Sequence, residues 1–444
     1  MSKKSTMRGT TFHRGEHGYE HARRAALWNA RTPERYPDVI VQANTDDDVV
    51  DAVRIARRDN LRIAVRSGGH SWAGNHVRDG GMLLDVSRLD TVAIDRSSMR
   101  AVVGPGCAGS DLAARLAREK LFFPVGHCAG VCVGGYLLQG GFGWNGRALG
   151  PACMSVLSID YVDAEGTIRH ASERDNPDML WAARGAGPGF FGVVLRFHLR
   201  LHPLPSYIGT RLASYGGDRL DDVFRWAHAI GPEVPSSVEL MVLMSWKTPF
   251  VRGLGFQIVA PVFEDDRRKA RLATAFLDSR PRGAALSLPL LPIPLPMQIR
   301  TVMKHYPTGW RYGVDNMWTH APIDELLPGL RKIAATTPPA PSHMLWMNWA
   351  PPPDRPSMSF SMEDSIYVAL YGVWRDAADD EIHGAWATDR MRELAPLATG
   401  IQLADENLGR RPARFVADAN LSRLDELRRR HDPGGRFHPW MGRP

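Results

Sequence analysis

The chain has 444 residues, enough for two domains or for one large domain carrying a split insertion. Apolar residues at 44% and charged residues at 23% exclude wholesale disorder, and no apolar run reaches the ~18 residues that would span a bilayer. The formal charge of +7 is carried by arginines scattered over helix-like stretches, among them Arg54, Arg57, Arg58 and Arg428 to Arg430; these read as solvated faces, not as the clustered stripe that nucleic acid requires.

In chain order, the polar opening MSKKSTMRGTTFHRGEHGYEH lacks the apolar core of a secretion signal, and four cysteines make no disulfide framework, so a cytoplasmic protein is expected. Asp46-Asp47-Asp48 sits where a helix N-terminus favours negative charge and predicts an amphipathic helix over Val49 to Arg58. Short strands are predicted at Leu61 to Val65, Met82 to Val86, Ala101 to Val103, Ser158 to Val162 and Gly192 to Leu199, with a helix over Asp111 to Glu119. Beyond Leu204 the chain becomes richer in Trp, Met and Pro. Strand-like stretches at Val238 to Met244, Leu254 to Val262 and Ile366 to Trp374, interrupted by helices at Asp265 to Leu277 and Asp379 to Leu394, predict an antiparallel sheet carrying helices. The run Leu286 to Met297, LSLPLLPIPLPM, can be neither a regular helix nor a central strand; it is a packed extended connector or an apolar lip over a pocket. A last helix, with Leu421, Leu424 and Leu427 at helical spacing, ends at Asp432-Pro433-Gly434-Gly435.

Two glycine-rich segments carry the chemistry. Arg66-Ser67-Gly68-Gly69-His70-Ser71 directly follows a strand. Its consecutive glycines let backbone N–H groups converge on an anion such as a pyrophosphate, while the arginine and serines would add charge-assisted bonds or fix the loop. A plain Gly-Gly turn with an incidental His is the alternative. Gly126 to Gly143, GHCAGVCVGGYLLQGGFG, holds seven glycines in eighteen residues, a density that would weaken any helix or strand. The backbone is expected to approach something flat or bulky there. No strand-turn-helix frame surrounds it, so it is not a dinucleotide fingerprint, and His70, His127, Cys128 and Cys132 lack metal-ligand spacing. No metal is expected.

With His70 in RSGGHS, the Cys128 segment, WAARGAGPGFFGVV from Trp181 to Val194, and NLSRL at Asn420 followed by HDPGGRF at His431, the chain resembles the vanillyl-alcohol-oxidase (PCMH-type) flavoprotein superfamily. Within it the chain is similar to bacterial berberine-bridge-enzyme-like oxidases. The resemblance implies an α+β, two-domain fold: a PCMH-type FAD-binding domain from residues 1–206 and 408–444, and an inserted antiparallel-sheet substrate domain from 207–407. It implies FAD bonded to His70 and, as in a subset of the family, to Cys128. A thiolate is the attacking species for such a bond, so an electropositive or helix-N-terminal setting is expected around Cys128. The implied cofactor contacts are Arg66, Ser67, Gly68, Gly69, His70, Ser71, Cys128, Val131, Gly134, Gly135, Gly140, Gly141, Gly143, Val162 and Asn420. Val131 stands where the family lines the dioxygen approach, and a valine there resembles the oxidases.

The departures matter too. Tyr136 replaces a family histidine near the flavin, and Cys132 replaces a glycine. Val416 and Gln402 replace active-site tyrosines, Ala404 replaces an asparagine, and Trp346 to Pro351 holds no carboxylate where relatives have one. Hydride removal from a C–OH or C–NH carbon needs a proton acceptor, so the base is expected elsewhere. The candidates are Tyr367, Tyr371, Asp405 and Glu406, with Tyr136 as a possible donor. Sheet aromatics and solvated turn acids are their bland alternatives, and His343, His320 and Glu363 are weaker candidates. Trp310, Trp318, Trp346, Trp349 and Trp374 with Met344, Met347, Met358 and Met362 would line an aromatic pocket or fill the core. The implied function is an FAD-dependent oxidase acting on a small aromatic or polycyclic substrate of bacterial secondary metabolism or catabolism, reducing dioxygen to hydrogen peroxide as a monomer or homodimer. A dehydrogenase using another acceptor, and a flavin-bearing binding protein without turnover, are the rivals.

Overall fold

The computed structural model describes residues 8–443, so the first seven residues of the polar opening lie outside the described residues. Strands β1 (Thr10–His13), β2 (Val39–Gln42), β3 (Ile63–Arg66) and β4 (Met82–Asp85) form a sheet in the order β1-β2-β4-β3, with β4 parallel to both β2 and β3. Parallel neighbours need crossovers. The helix Asp46–Arg58 supplies one between β2 and β3, and the His70 loop connects β3 to β4. That helix starts at a capping box in which Thr45 and Asp48 bond reciprocally, and it buries Val49, Ala52, Val53 and Ala56 on one face.

A second sheet has the order β5 (Val92–Asp95), β6 (Arg100–Val103), β10 (Val193–Arg200), β8 (Val156–Val162), β9 (Ile168–Ser172), antiparallel throughout. The short β7 (Leu121–Phe122) pairs with β11 (His202–Pro203). The third sheet has seven antiparallel strands, β12 (Tyr207–Gly216), β13 (Met241–Ser245), β14 (Gly255–Glu264), β15 (Leu286–Pro292), β16 (Arg311–Thr319), β17 (His343–Asn348) and β18 (Ile366–Trp374), in the order β15-β12-β14-β13-β17-β18-β16.

The period of two along these strands decides what each face does. Val242 and Met244, Met344 and Trp346, and Val368 and Leu370 point into a core shared with Leu326 and Leu330 of the helix Ile323–Thr336. The intervening residues Met241 and Leu243, His343 and Leu345, and Tyr367 and Tyr371 face the other way, into a cavity. That core spans Ala213 to Leu394; a second gathers Val39 to Leu201 with Ile401 to Trp440 and takes in Phe263, Leu295 and Ile299 of the middle segment, and a third, around Trp318, Tyr367 and Tyr371, packs against Trp28, Trp72 and Phe142.

Two local expectations change. The Pro-rich run forms the edge strand β15 and then opens the helix Leu295–Val302, with Pro296 in its first turn. Pro is tolerated there because the first helical N–H groups have no acceptor to lose. The glycine-rich segment also contains a helix, Val133–Leu138, with Gly134 and Gly135 inside it; close packing overrides propensity, since a side chain on Gly134 would lie 2.9 Å from Pro105 Cβ and Ser67 Oγ.

Candidate functional site

The loop after β3 is shaped by its backbone. Gly69 has φ +70°, and a Cβ there would sit 2.1 Å from the Ala26 carbonyl oxygen, so only glycine fits. Arg66 donates to both Asp85 carboxylate oxygens at 2.9 Å and to Ala26 O at 3.2 Å. Ser67 Oγ accepts from Gly135 N at 3.2 Å, and Ser71 Oγ accepts from Asn75 N at 3.1 Å. Of the two roles open to the arginine and serines, these bonds support fixing the loop. The loop presents His70 with its ring stacked on Trp28, centroids 4.8 Å apart at 25°. His70 Nε2 is buried without a partner among the described residues. Burial, and secondarily Arg66, lowers the His70 pKa to about 4, so the ring is neutral.

Against this loop lies the wall formed by Gly126 to Gly135. Gly130, two residues after Cys128, packs so closely that a Cβ would lie 3.2 Å from His70 Nε2. A side chain on Gly135 would meet only Ser67 Oγ, at 3.9 Å. The expected electropositive setting of Cys128 is not found. Burial, with Asp405 adding, pushes its thiol well above the usual range, and Cys132, not Cys128, caps the helix Val133–Leu138.

The opposite side is built from side chains. Asp405 ends the short turn Leu403–Asp405, where Asn316 Nδ2 donates to Gln402 O at 3.0 Å and to Asp405 O at 2.8 Å, while Gln402 N donates to Asn316 Oδ1 at 2.7 Å. So held, the Asp405 carboxylate accepts from Trp72 Nε1 at 2.6 Å on Oδ1, and from the Tyr371 hydroxyl at 2.8 Å and the Tyr367 hydroxyl on Oδ2. Burial and the neighbouring Asp405 hold both tyrosines well above the ordinary phenol range, so their hydroxyls keep their protons. Glu406 is buried as well, accepting from Asn75 Nδ2 at 2.8 Å and Leu408 N at 2.5 Å, and burial raises its pKa. Neither acid is a solvated turn residue.

One cavity of about 410 Å³ joins the two sides. Arg66, Ser67, Gly68, Gly69, His70, Ser71, Cys128, Val131, Gly134, Gly135, Tyr136, Tyr367, Tyr371 and Asp405 all line it. Gly140, Gly141, Gly143, Val162 and Asn420 do not. Side chains on the three glycines would strike the Phe360 ring, Ala152 Cβ and Val125 O, so their absence permits packing behind the wall. Val162, the last residue of β8, is fully buried between Ile168 of β9 and Val193 of β10, and Asn420 Nδ2 donates to Ser359 O at 3.1 Å in the closing helix region. Tyr136 gives its one hydroxyl proton to Pro124 O at 2.5 Å, which removes it as a donor to a ligand. None of the nine Trp and Met pocket candidates lines the cavity; Trp318 and Trp346 are fully buried core residues on the strands. His320 is paired with Asp364 at 2.6 Å, and Glu363 accepts from Trp349 Nε1 at 2.7 Å, both away from the cavity. Trp72, Tyr306 and Asn316 were missed. Trp72 lies two residues past His70 and was legible as part of that loop, whereas Asn316 carries no local signal.

The FAD binding domain family matches residues 37–172. The FAD-linked oxidoreductase nodO of Hypoxylon pulicicidum is 31% identical over 422 residues, 94% of each chain. Among solved structures, BBE-like 1 of Physcomitrella patens superposes with TM-score 0.83 at 20% identity, over 98% of this chain and 96% of that one. 6-Hydroxy-D-nicotine oxidase of Arthrobacter nicotinovorans gives TM-score 0.83 at 22% identity, over 98% of both chains. The residues present fit the FAD that these comparisons imply. A glycine wall open toward the cavity can approach a flat ring closely, and the neutral His70 ring, its Nε2 unpartnered among the described residues, offers a nucleophilic nitrogen on the cavity border, with the protonated Cys128 thiol beside it.

Proposed function

The chain belongs to the FAD-linked oxidoreductases, and from that premise we propose that it is a berberine-bridge-enzyme-like oxidase removing a hydride from a small, largely apolar aromatic or polycyclic molecule, with dioxygen reduced to hydrogen peroxide. The observation that carries this reading is the Asp405 carboxylate, with two tyrosine hydroxyls on one oxygen and the Trp72 indole on the other, inside the cavity that His70 and Cys128 also line. A substrate O–H or N–H proton passes to a tyrosine oxygen as that phenol's own proton moves to Asp405 Oδ2. The relay replaces the carboxylate and tyrosines absent from the family's usual positions, and a positioned base of this kind contributes ~10²–10⁴-fold. Trp72 holds the carboxylate in place from the His70 side. FAD, when bound, supplies the two-electron acceptor.

We assign its attachment to His70 and Cys128, and dioxygen access to the small side chain of Val131. We take residues 1–206 with 408–444 as the FAD-binding domain and 207–407 as the substrate domain, the middle segment contributing the seven-stranded sheet and the core from Ala213 to Leu394. We take the setting to be bacterial and cytoplasmic.

Anaerobic mixing of the purified holoprotein with phenols, polyketides, amines and sugars tests the reading: flavin bleaching by an apolar aromatic compound is expected, and tight binding without bleaching by any compound would remove the catalytic claim. Mixing the reduced protein with air-saturated buffer then separates an oxidase from a dehydrogenase, since sluggish reoxidation would exclude dioxygen as the acceptor. Intact mass of denatured protein reads the attachment, with the bare chain mass counting against it.

A further inference from the structure

The cavity continues past Asp405. Its floor crosses β12, β14, β13, β17 and β18, five neighbours in the strand order, which at ~4.8 Å per strand spans roughly 19 Å. Leu212, Val259, Met241, Leu243 and Leu345 surface most of that floor, with Thr210 of β12 and Gln257 of β14, opposite Leu243, as its polar members. Beside Tyr371 this apolar track meets a recess of two imidazoles.

His343 is fully buried, faces Tyr371 across the β17–β18 register, and stacks on its ring with centroids 4.6 Å apart at 16°. His305 follows the helix Leu295–Val302, and its ring centroid lies 5.4 Å from that of His343. Both residues line the cavity. His343 Nδ1 is 3.0 Å from the Pro341 carbonyl oxygen, which only accepts, so Nδ1 carries the proton. Burial keeps this ring neutral, with a pKa lowered to about 3, and Nε2 is then a bare lone pair. That Nε2 is buried and has no partner among the described residues, and neither has His305 Nδ1. Burial, with Lys247 and Lys304 adding, lowers His305 to about 4. A buried acceptor left bare is unfavourable, and a bound group that supplies the hydrogen relieves it.

We propose that His343 and His305 form a specificity subsite for a hydroxyl or N–H group on an otherwise apolar, extended substrate, with His343 Nε2 accepting that group's hydrogen. A hydroxyl suits the pair best, because it donates to His343 while its oxygen can accept from His305. A carboxylate has no hydrogen to give and is refused by the lone pair. The proposal rests on the oxidase reading above for taking the occupant of this cavity as a substrate.

The test is an anaerobic titration of the holoprotein with 2-naphthol and 2-methoxynaphthalene, followed by flavin absorbance and tryptophan fluorescence. Wild type is expected to bind 2-naphthol about 10-fold or more tighter, the range of one hydrogen bond made in a buried site. His343→Phe keeps a ring against Tyr371 but has no acceptor and should erase the preference, whereas His343→Gln, which retains an acceptor, should keep part of it. His305→Phe, at a less buried position, should weaken the preference without touching the core. Equal binding of the two probes to wild type means that the recess holds only a water, and overturns the proposal. So does an unchanged preference in His343→Phe or, if that variant does not fold, in His305→Phe. Failure of the oxidase reading shows separately, as a flavin that no compound bleaches, because the probe preference is read by fluorescence without turnover.

Discussion

The two walls of the cavity are built on opposite principles. The wall from residues 66–71 and 126–135 takes its shape from the backbone: Gly69 in the left-handed region, Gly130 against His70, and Ser67 tied to Gly135. The sheet wall takes its function from a few side chains that meet from far apart, with Trp72 and Asp405 separated by 333 positions. A backbone-shaped wall should fail as a whole when one Cβ is added, and should tolerate changes in the side chains that merely brace it. A wall of converging side chains should keep its structure and lose its chemistry one group at a time.

The strongest way to break that contrast is Gly69→Ala. Its Cβ would overlap the Ala26 carbonyl, so flavin incorporation should be lost outright; normal flavin content in the purified variant would show that this wall is not backbone-determined. Asp405→Asn is the matching change on the sheet wall. It should slow anaerobic flavin reduction by ~10²–10⁴-fold while leaving flavin content and unfolding temperature near wild type. A stopped-flow rate within threefold of wild type would remove Asp405 from the proton relay.

Acidification tests what the walls have in common. His76, whose Nε2 lies 2.9 Å from Ala26 O, and His343 are both buried on their respective sides, and burial lowers each to about 3 from 6.5. Between those pH values the unfolded chain binds more protons than the folded one. Stability is therefore complete above about 6.5 and falls as the pH drops toward 3, by on the order of 5 kcal/mol for each group at full protonation. Thermal unfolding followed from pH 7 to pH 4 should show the midpoint falling, and a flat profile would count against buried neutral imidazoles. The smallest expected effect sharpens the sheet side alone. Tyr367→Phe and Tyr371→Phe should each reduce the rate about 10-fold, and the double variant should lose less than the product of the two, because both hydroxyls share Asp405 Oδ2. Strict multiplicativity in the rates would show that the tyrosines act independently.

Local pattern sufficed for much of the architecture. The acids before Val49 marked a helix that does begin at Asp46, Ile366–Trp374 is a strand over its whole predicted length, and the Pro-rich run was kept out of the sheet's centre. Helix starts, strand periods and proline exclusions depend on neighbours a few residues away, so they are written in the sequence. RSGGHS was legible as a motif, and the φ of +70° at Gly69 is a local demand, but the closest contacts that exclude a side chain come from Ala26 and Cys132 outside the loop. Side-chain destinations were not legible in this way. Trp346 carries the composition of a ligand pocket yet lies in the core, because register pairs it with Val368 on the core face of the sheet, and Trp318, opposite Tyr367 on the other face, is covered by Phe142 and Trp349. Asp405 and Glu406 read as solvated acids, and only the arrival of Trp72, Tyr367, Tyr371 and Asn75 makes Asp405 a part-buried acceptor and Glu406 a buried one. Tyr136 lost its expected role to a carbonyl twelve residues away, at Pro124. The sequence by itself determined most of the elements, the family and the glycine-rich loop that carries His70, since these follow from local pattern and motif. The cluster of Trp72, Tyr367 and Tyr371 on Asp405 and the imidazole recess were decided only when a sheet face, a turn and a distant loop closed on one cavity, because hydrogen bonds between remote segments have no local signature.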